Sequence, residues 1–412
     1  MPGPRDGRVV GPARSGEPGP VTDLLDGDFY GFGTLLTDEE QKTLAAVREF
    51  CRTDLAPIAL DAWIDAEFPY AIVPRFGELG LAALPYDDLD GPAARRILTG
   101  FVSLVLAHTD PSFNSFHGVH SGLAMGSIDI CGSDEQRRRW LPAMARFEQI
   151  GAFGLTEPDG GSDVAGGLTT TARRDGDTWV LDGQKRWIGN GTFADLVVVW
   201  ARDVADDSVK GFVVHGDNPG MSSERIERKI ALRTVQNAEL TLTGCEVPED
   251  DRLQRAESFA DTNEVLRRTR GGVAWGATGT MMAAYENALA YAKEREQFGR
   301  PIAGFQLVQD LLVRMLGNVT ASLGMAVRLA AMQDDGTARD EHAALAKEYT
   351  TTAMRETVAM ARQVVGGNGI VLDHGVAKYF ADAEALYSFE GTREINTLVV
   401  GRAVTGHSAF VR

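Results

Sequence analysis

The order of periodicities along the chain is its most constraining feature. Residues 37–148, and again residues from about 262 onward, carry apolar residues at intervals of three and four, as amphipathic helices do. Between them, over about 151–255, short β-rich runs alternate with Asp-Gly turn signals. This middle stretch lacks strand–helix–strand alternation, which disfavours a parallel nucleotide-binding sheet. The pattern predicts an α+β fold in which a β domain separates two helical domains.

The domain boundaries are expected where the periodicity changes. We predict an N-terminal α-helical domain over 36–150, a middle β domain over 151–258 and a C-terminal α-helical bundle over 259–412. Residues 1–35 are dense in Gly and Pro and lack aliphatic periodicity, so we expect a flexible tail. Thr37 followed by Glu40 fits a capping box, which predicts a helix that starts there and ends near Pro57.

Charge and motif content exclude several functions. The 412 residues carry a formal net charge of −17, whereas binding to nucleic acid requires a phosphate-neutralising surface, so no nucleic-acid partner is expected. Apolar runs fall well short of the roughly 20 residues of a membrane span, so no membrane insertion is expected. Three cysteines in no disulfide or zinc spacing favour a reducing cytoplasm. His117 and His120 lack an evident third ligand, so no metal site is predicted.

One glycine-rich segment, residues 154–166, carries candidate ligand-binding groups. It reads GLTEPDGGSDVAG at the entry of the β domain. Its glycines allow backbone amides to approach a ligand closely, and Thr156 and Ser162 can donate to phosphate or ring oxygens. A β-entry turn rich in side-chain caps explains the same residues, and their chemistry alone leaves both interpretations open.

Four separated segments resemble motifs of the acyl-CoA dehydrogenase family, in the family's order. Residues 154–166 resemble its first signature, and Gln363 with GGNGI at 366–370 resembles its second. REQFGRPIAGFQ at 295–306 and FEGTREIN at 389–396 are similar to the segments that contact flavin and carry the catalytic glutamate. The likeness covers roughly 36–410 and includes glutaryl-CoA dehydrogenase and the short-chain acyl-CoA oxidase of plant peroxisomes. It implies an N-terminal helical domain, a middle β-barrel-like domain and a C-terminal four-helix bundle.

The resemblance implies FAD-dependent α,β-dehydrogenation of an acyl-CoA thioester to the trans-2-enoyl-CoA. Electrons then pass to an electron-transfer flavoprotein. It implies that Glu390 is the base that removes the α-proton, with a pKa raised by burial in an apolar pocket. Substrate contacts are implied for Ser162, Arg270, Gly391 and Asn114. Because the family shares its cofactor sites across subunits, a homotetramer is expected. The implied FAD-binding residues are Phe153, Leu155, Thr156, Ser162, Trp187, Ile188, Gly189, Arg295, Phe298, Gln306, Gln363, Gly366, Gly367, Thr392 and Glu394.

Two departures from the family pattern bear on the reaction. Gly189 stands where most members have a threonine that hydrogen-bonds the flavin, so an acyl-CoA oxidase that uses O2 and releases H2O2 remains an alternative. Asn114 and Gly118 occupy the positions that match the arginine and serine of glutaryl-CoA dehydrogenase. A second substrate carboxylate would lack its cation there, which favours a short or branched monoacyl group. A thioester on a carrier protein and a non-catalytic relative of the fold are further alternatives.

Overall fold

The computed structural model describes residues 27–89, 91 and 93–410. The N-terminal region is helical, and π-helical turns at Cys51–Leu55 and Gly118–Met125 join α1 to α2 and α5 to α6. Its helices are α1 (Asp38–Phe50), α2 (Ala56–Asp65), α3 (Val73–Glu78), α4 (Arg96–Thr109), α5 (Pro111–His117), α6 (Gly126–Cys131) and α7 (Asp134–Ala145).

The first helix begins as predicted but does not end as predicted. Thr37 accepts from the Glu40 backbone N–H, and the Glu40 side chain accepts from the Thr37 N–H, so the capping box is confirmed. Pro57 does not end the helical segment, which continues through the π-helical turn. Pro57 instead lies in the first turn of α2. The π-helical turn before it, in which the Ala56 N–H bonds Cys51 O, shifts the bonding by one residue and so accommodates a residue without an N–H inside a continuous helical segment.

The middle region forms a curled seven-stranded sheet in the order β5-β4-β2-β3-β7-β6, with β1 beside β4. Most pairs are antiparallel, but β1 and β2 both pair in parallel with β4, which is buried on both faces. An isolated antiparallel bridge pairs Phe212 of β5 with Arg252, four residues after the end of β7. The elements are β1 (Gly151–Gly154), α8 (Val164–Gly167), β2 (Thr171–Asp175), β3 (Thr178–Ile188), β4 (Leu196–Asp203), β5 (Val209–His215), β6 (Met221–Arg225) and β7 (Ala238–Pro248).

The C-terminal region is a helical bundle with one short hairpin. Its elements are α9 (Phe259–Glu294), β8 (Glu296–Gln297), β9 (Arg300–Pro301), α10 (Gln306–Asp334), α11 (Asp340–Val365), α12 (Val376–Ser388) and α13 (Arg393–Thr405). By length and composition α10 is apolar enough to span a membrane. It nevertheless packs in the bundle, with Leu312, Met315 and Leu323 buried. The predicted α+β architecture of helices, curled sheet and helices is confirmed.

The end of the predicted tail belongs to the packed fold. Residues 1–26 lie outside the described residues, but the prediction of a flexible tail is wrong for 27–35. Asp28 is 7% exposed and accepts two backbone N–H groups at 2.8 Å. The Gly27 N–H donates to Glu286 of α9 at 2.9 Å. Hydrogen bonds to such a distant partner order this segment, and a composition rich in Gly and Pro gives no sign of them.

One buried ionic cluster, here named the clamp, joins the three regions and consists of Asp110, Lys378 and Asp382. Lys378 Nζ lies 2.8 Å from Asp110 Oδ2 and 3.1 Å from Asp382 Oδ2. Asp382 Oδ1 accepts from the indole N–H of Trp63 at 2.9 Å and from the Leu232 N–H at 2.6 Å. The clamp therefore fixes α2, the β6–β7 connection and α5 against α12.

Candidate active site

Glu390, the predicted base, lies in the turn between α12 and α13. Its φ is 52° and that of Gly391 is 85°, so two successive residues are left-handed. Glycine adopts this region freely, but a glutamate there is strained and persists only where its surroundings hold it. Thr392 begins α13, and its hydroxyl accepts from the Ile395 N–H at 3.3 Å.

The Glu390 carboxyl is a buried acid between two cations. Burial raises its pKa, whereas the Thr269 hydroxyl and the charges of Arg270 and Lys347 oppose that rise. Glu390 Oε2 and Arg270 Nε are buried, and neither has a hydrogen-bond partner among the described residues. A carboxyl with a raised pKa and a free oxygen is suited to accept a proton from a substrate.

Lys347, on α11, was missed by the sequence analysis. Its side chain is fully buried, and Nζ donates to the carbonyls of Tyr387 at 2.8 Å and Gly391 at 2.7 Å. The sequence holds one signal for it: Lys347 is in register with the small residues Ala343 and Thr350, which are buried. A lysine on the buried face of a helix requires acceptors, which the sequence does not identify.

A buried ion pair holds the glycine-rich loop beside the end of β3. Lys185 Nζ donates to Leu155 O at 3.2 Å and to Glu157 Oε1 at 2.9 Å, and neither charged side chain is more than 3% exposed. The Arg186 N–H donates to Thr156 O at 2.8 Å. These bonds place Thr156 close to Trp187, which is left-handed and 52% exposed. Glu157 and Lys185 were also missed.

Several other predicted flavin contacts lie in the same part of the middle region. Phe153 is buried at the end of β1, and Ser162 is exposed in the glycine-rich loop. Ile188 belongs to the core inside the sheet. A Cβ on Gly189 would lie 2.9 Å from Val119 Cγ2, so Val119 fills the space where a larger side chain would start.

A second group of predicted residues surrounds a cavity of about 390 Å³ at the end of α11. Arg295, Gly366 and Gly367 line it together with Tyr291 and Asn368, which hydrogen-bond each other at 3.1 Å. Nothing lies within 4 Å of a Cβ at either glycine, so the backbone is open to a ligand. A guanidinium beside accessible glycine backbone is a donor set suited to a pyrophosphate.

The hairpin next to this cavity carries an unusually placed aromatic residue. Phe298 is 95% exposed and left-handed with φ 53°, and its ring lies 6.0 Å from that of Phe305. Gln306 is exposed at the start of α10, and Gln363 is exposed near the end of α11. These residues belong to the C-terminal region, whereas the glycine-rich loop belongs to the middle region.

The seam between α9 and the α5–α6 segment, here named the cleft, begins at Thr269, whose hydroxyl bonds the Glu390 carboxyl. The helices approach at Thr269, whose Cγ2 would lie 3.3 Å from a Cβ on Gly122. One turn away, Gly118 and Gly272 have nothing within 4 Å of a Cβ, so open space lies at both. Both glycines therefore leave space beside α9, about one turn from Thr269.

The far end of the cleft is polar and uncharged. A Cβ on Gly276 would lie 2.7 Å from Asn114 Nδ2. Asn114 Oδ1 accepts from the Ser103 hydroxyl at 2.9 Å. From Thr269 to Gly276 the helix rises about 10 Å, which limits the acyl length that this cleft can take.

The two histidines considered as metal ligands are bonded to backbone groups. His120 is fully buried, accepts from the Gly151 N–H at 2.9 Å and lies 2.9 Å from Met144 O. His117 Nε2 lies 3.2 Å from Leu81 O. In the part of the chain that the structure describes, no three His, Cys, Asp or Glu side chains are grouped as metal ligands would be.

The predicted FAD fits these residues. The cavity offers Arg295 and open glycine backbone for phosphates, and the loop beside Trp187 offers Thr156 near an exposed indole. Glu390 Oε2 and Arg270 Nε are buried polar atoms that no residue of the described chain satisfies. Thr392 and Glu394, for which a contact near the adenosine stays a prediction, lie directly after the Glu390 turn, and Glu394 is exposed.

Comparisons with known proteins agree with the motifs along nearly the whole chain. Family models for the acyl-CoA dehydrogenase N-terminal, middle and C-terminal domains match residues 37–148, 152–245 and 259–405. A mitochondrial short-chain specific acyl-CoA dehydrogenase from Bos taurus is 32% identical over 370 residues, covering 89% of this chain and 90% of that protein.

Two solved structures of glutaryl-CoA dehydrogenase from Mycobacterium smegmatis are similar over the whole fold. The first has a TM-score of 0.89 and 38% identity, and covers 92% of this chain and 98% of its own. The second, in complex with FADH2, has a TM-score of 0.90 and 34% identity, with coverages of 93% and 98%. This chain is therefore a member of the acyl-CoA dehydrogenase family, the FAD-dependent oxidoreductases that its four motifs predict.

Proposed function

We propose that this chain oxidises a short-chain or branched, uncharged acyl-CoA to its trans-2-enoyl-CoA and passes the electrons to an electron-transfer flavoprotein. The observation that carries the proposal is the Glu390 carboxyl, with a raised pKa and a buried oxygen that has no partner in the described chain, beside Thr269 at the start of the cleft. The bovine relative, named for short-chain substrates, supports the same size class.

Glu390 takes the α-proton on its free carboxylate oxygen. Its backbone N–H has no acceptor among the described residues and is available to the thioester oxygen as negative charge develops there. When bound, FAD supplies the acceptor for the hydride that leaves the β-carbon. Arg295, Gly366 and Gly367 line the cavity and would hold the phosphate groups of FAD, and Thr156 and Trp187 would lie beside its ring.

The end of the cleft supports a substrate without a distal charge. Asn114 and Ser103 hydrogen-bond each other there, and neither carries a charge. A dicarboxylic acyl group would bury a carboxylate without a cation, at a cost of several kcal/mol. We infer that straight or branched monoacyl-CoAs react well and that glutaryl-CoA reacts poorly.

An anaerobic titration tests the proposal. The purified flavoprotein is mixed with acyl-CoAs of four to eight carbons, straight, branched and dicarboxylic, and the flavin absorbance is recorded before air is admitted. We expect bleaching by monoacyl-CoAs that persists in air until an electron-transfer flavoprotein is added. Bleaching by glutaryl-CoA alone would contradict the substrate class, and no bleaching by any thioester would contradict the reaction.

An acyl-CoA oxidase is the second candidate, and the Gly189 position favours it. Gly189 has no side chain, so it offers no hydroxyl at the position where the resemblance implies a flavin contact. Val119 occupies the space beside it. Rapid recolouring in air with stoichiometric H2O2 would identify an oxidase.

We further propose that the chain works as a homotetramer in the cytoplasm. Phe298 is left-handed and 95% exposed in the hairpin beside the cavity assigned to FAD phosphates, where a second subunit would cover its ring. The described cysteines are all free and buried, which supports a reducing compartment. Sedimentation of the native protein and of Phe298→Ser tests the assembly, and a wild-type monomer would contradict it.

A further inference from the structure

Lys347 brings a positive charge into the interior, beside the backbone of the Glu390 turn. Its side chain has no exposure to solvent, and its two hydrogen bonds go to carbonyls on either side of the base. Lys347 Nζ lies 2.8 Å from the carbonyl oxygen of Tyr387, three residues before Glu390. It lies 2.7 Å from the carbonyl oxygen of Gly391, directly after Glu390. Burying an ammonium costs free energy unless its N–H groups find acceptors. Here the acceptors are the carbonyls of the Glu390 turn, so Lys347 is bonded to the backbone on both sides of the base.

The turn needs such support because its backbone is strained. Glu390 and Gly391 are both left-handed, which glutamate rarely adopts. The Asn396 side chain also donates to Gly391 O at 3.0 Å and to Thr392 O at 2.9 Å. Gly391 O is thus held from α11 by Lys347 and from α13 by Asn396.

The charges around the turn are unbalanced in favour of cations close to the base. Both Lys347 and Arg270 oppose the effect of burial on the pKa of Glu390. Burial lowers the pKa of Lys347 itself to about 8, with Glu390 opposing that fall. The charged and titratable groups around the turn are Arg270 of α9, Lys347 and Glu348 of α11, Tyr387 of α12, and Arg393 and Glu394 of α13.

We propose that Lys347 is a positioning residue for the base: its two hydrogen bonds hold Glu390 in the left-handed conformation, and its charge keeps the carboxylate ionised. The inference rests on the proposed role of Glu390 in proton removal. It predicts two separable defects when Lys347 is changed, one of geometry and one of charge.

Lys347→Met tests both, because methionine keeps the length and removes the donors and the charge. We expect FAD content and KM to stay close to wild type. The rate of anaerobic flavin reduction should fall about 10–100-fold, because a small displacement of a catalytic group slows the reaction by this order. Without the cation, the acid limb of the kcat/KM profile should move up by about one pH unit. Lys347→Arg restores the charge and should return the limb to its wild-type position.

Lys229 offers a matched control. It is also mostly buried, has a pKa lowered by burial to about 8, and donates to the carbonyls of Leu232 and Val235, away from Glu390. Lys229→Met should leave the acid limb in place. A readout without turnover is the infrared carboxyl band of Glu390, identified by its absence in Glu390→Gln, which should titrate at higher pH in Lys347→Met.

The outcomes separate this inference from the proposed function. A Lys347→Met enzyme with the wild-type rate and acid limb would overturn the positioning role, as would an equal shift in Lys229→Met. Normal flavin reduction by Glu390→Gln would instead overturn the role of Glu390. If Lys347→Met does not fold, a shifted limb in the charge-retaining Lys347→Arg would contradict the charge effect.

Discussion

Two buried lysine clusters in this molecule have opposite balances of charge. In the clamp, one ammonium faces two carboxylates, and Asp382 also accepts from Trp63 and Leu232. At the Glu390 turn, two cations face one carboxyl, whose Oε2 has no partner within the described chain. Each carboxylate of the clamp lies within 3.1 Å of the Lys378 ammonium, whereas at the turn Glu390 Oε2 has no partner among the described residues.

The electrostatics of the two lysines follow from this difference. Burial by itself lowers the pKa of each, but Asp110 and Asp382 reverse that effect and raise the pKa of Lys378 above its usual range. Lys347 has no such pair, so burial dominates and its pKa falls to about 8. The charged groups of the clamp pair with one another, whereas the Glu390 turn leaves a carboxyl oxygen without a partner in the described chain, as a site that performs chemistry requires.

Removing the free carboxylate should have the largest effect. Glu390→Gln keeps the shape and hydrogen-bonding capacity of the side chain but cannot take a proton. We expect retained FAD and acyl-CoA binding with flavin reduction slowed by about 100–10,000-fold, measured by anaerobic stopped flow. Flavin bleaching at the wild-type rate in Glu390→Gln would contradict the assignment of the Glu390 turn as the catalytic cluster.

Changing the lysine of the clamp should cost stability. Lys378→Met leaves Asp110 and Asp382, both 0% exposed, without their counter-ion. We expect the free energy of unfolding to fall by about 3–5 kcal/mol in urea titrations. Lys347→Met, which removes a buried lysine bonded to the carbonyls of Tyr387 and Gly391, controls for the loss of a buried lysine. A loss under about 1 kcal/mol would mean that the clamp is not a structural cluster.

Acid pH should weaken a third polar site, the buried His120. Burial lowers its pKa to about 3, so below pH 6.5 the unfolded chain binds a proton that the folded chain excludes. Stability is therefore present at neutral pH and is lost as pH falls, by about 1 kcal/mol between pH 7 and 5.5. His117, with its pKa lowered to about 4, adds in the same direction.

Urea titrations across that pH range measure the effect. The His120→Asn variant keeps an acceptor for the Gly151 N–H but removes the titrating group, so its stability should depend less on pH. An equal slope in both proteins would assign the loss to other groups.

The smallest effect is expected at the rim of the Glu390 turn. Arg393 pairs with Glu348 at 3.0 Å, but its side chain is 42% exposed. Arg393→Ala should change the free energy of unfolding by under about 1 kcal/mol and leave the acid limb in place, because solvent screens such pairs. If Arg393→Ala shifted the acid limb as far as Lys347→Met does, solvent exposure would not explain the difference between Arg393 and Lys347.

The sequence alone predicts the helices, strands and fold class, because local periodicity reports which face of an element is buried. It also identifies Glu390 through the motif around it. Lys347 could not be found in this way, since a lysine in a helix is normally exposed and its acceptors lie 40 and 44 residues further along the chain. The prediction of a flexible tail was wrong for residues 27–35 for the same reason. The Gly27 N–H bonds Glu286, which lies 259 residues further along the chain.

The clamp also has a consequence for biosynthesis. Trp63 and Leu232 donate to Asp382 across separations of 319 and 150 residues. At a translation rate of about 5–20 residues per second, Asp382 is synthesised on the order of tens of seconds after Trp63. Until then the emerging helices and sheet keep unpaired donors and exposed apolar surface, so nascent chains that stop before residue 382 should depend on chaperones.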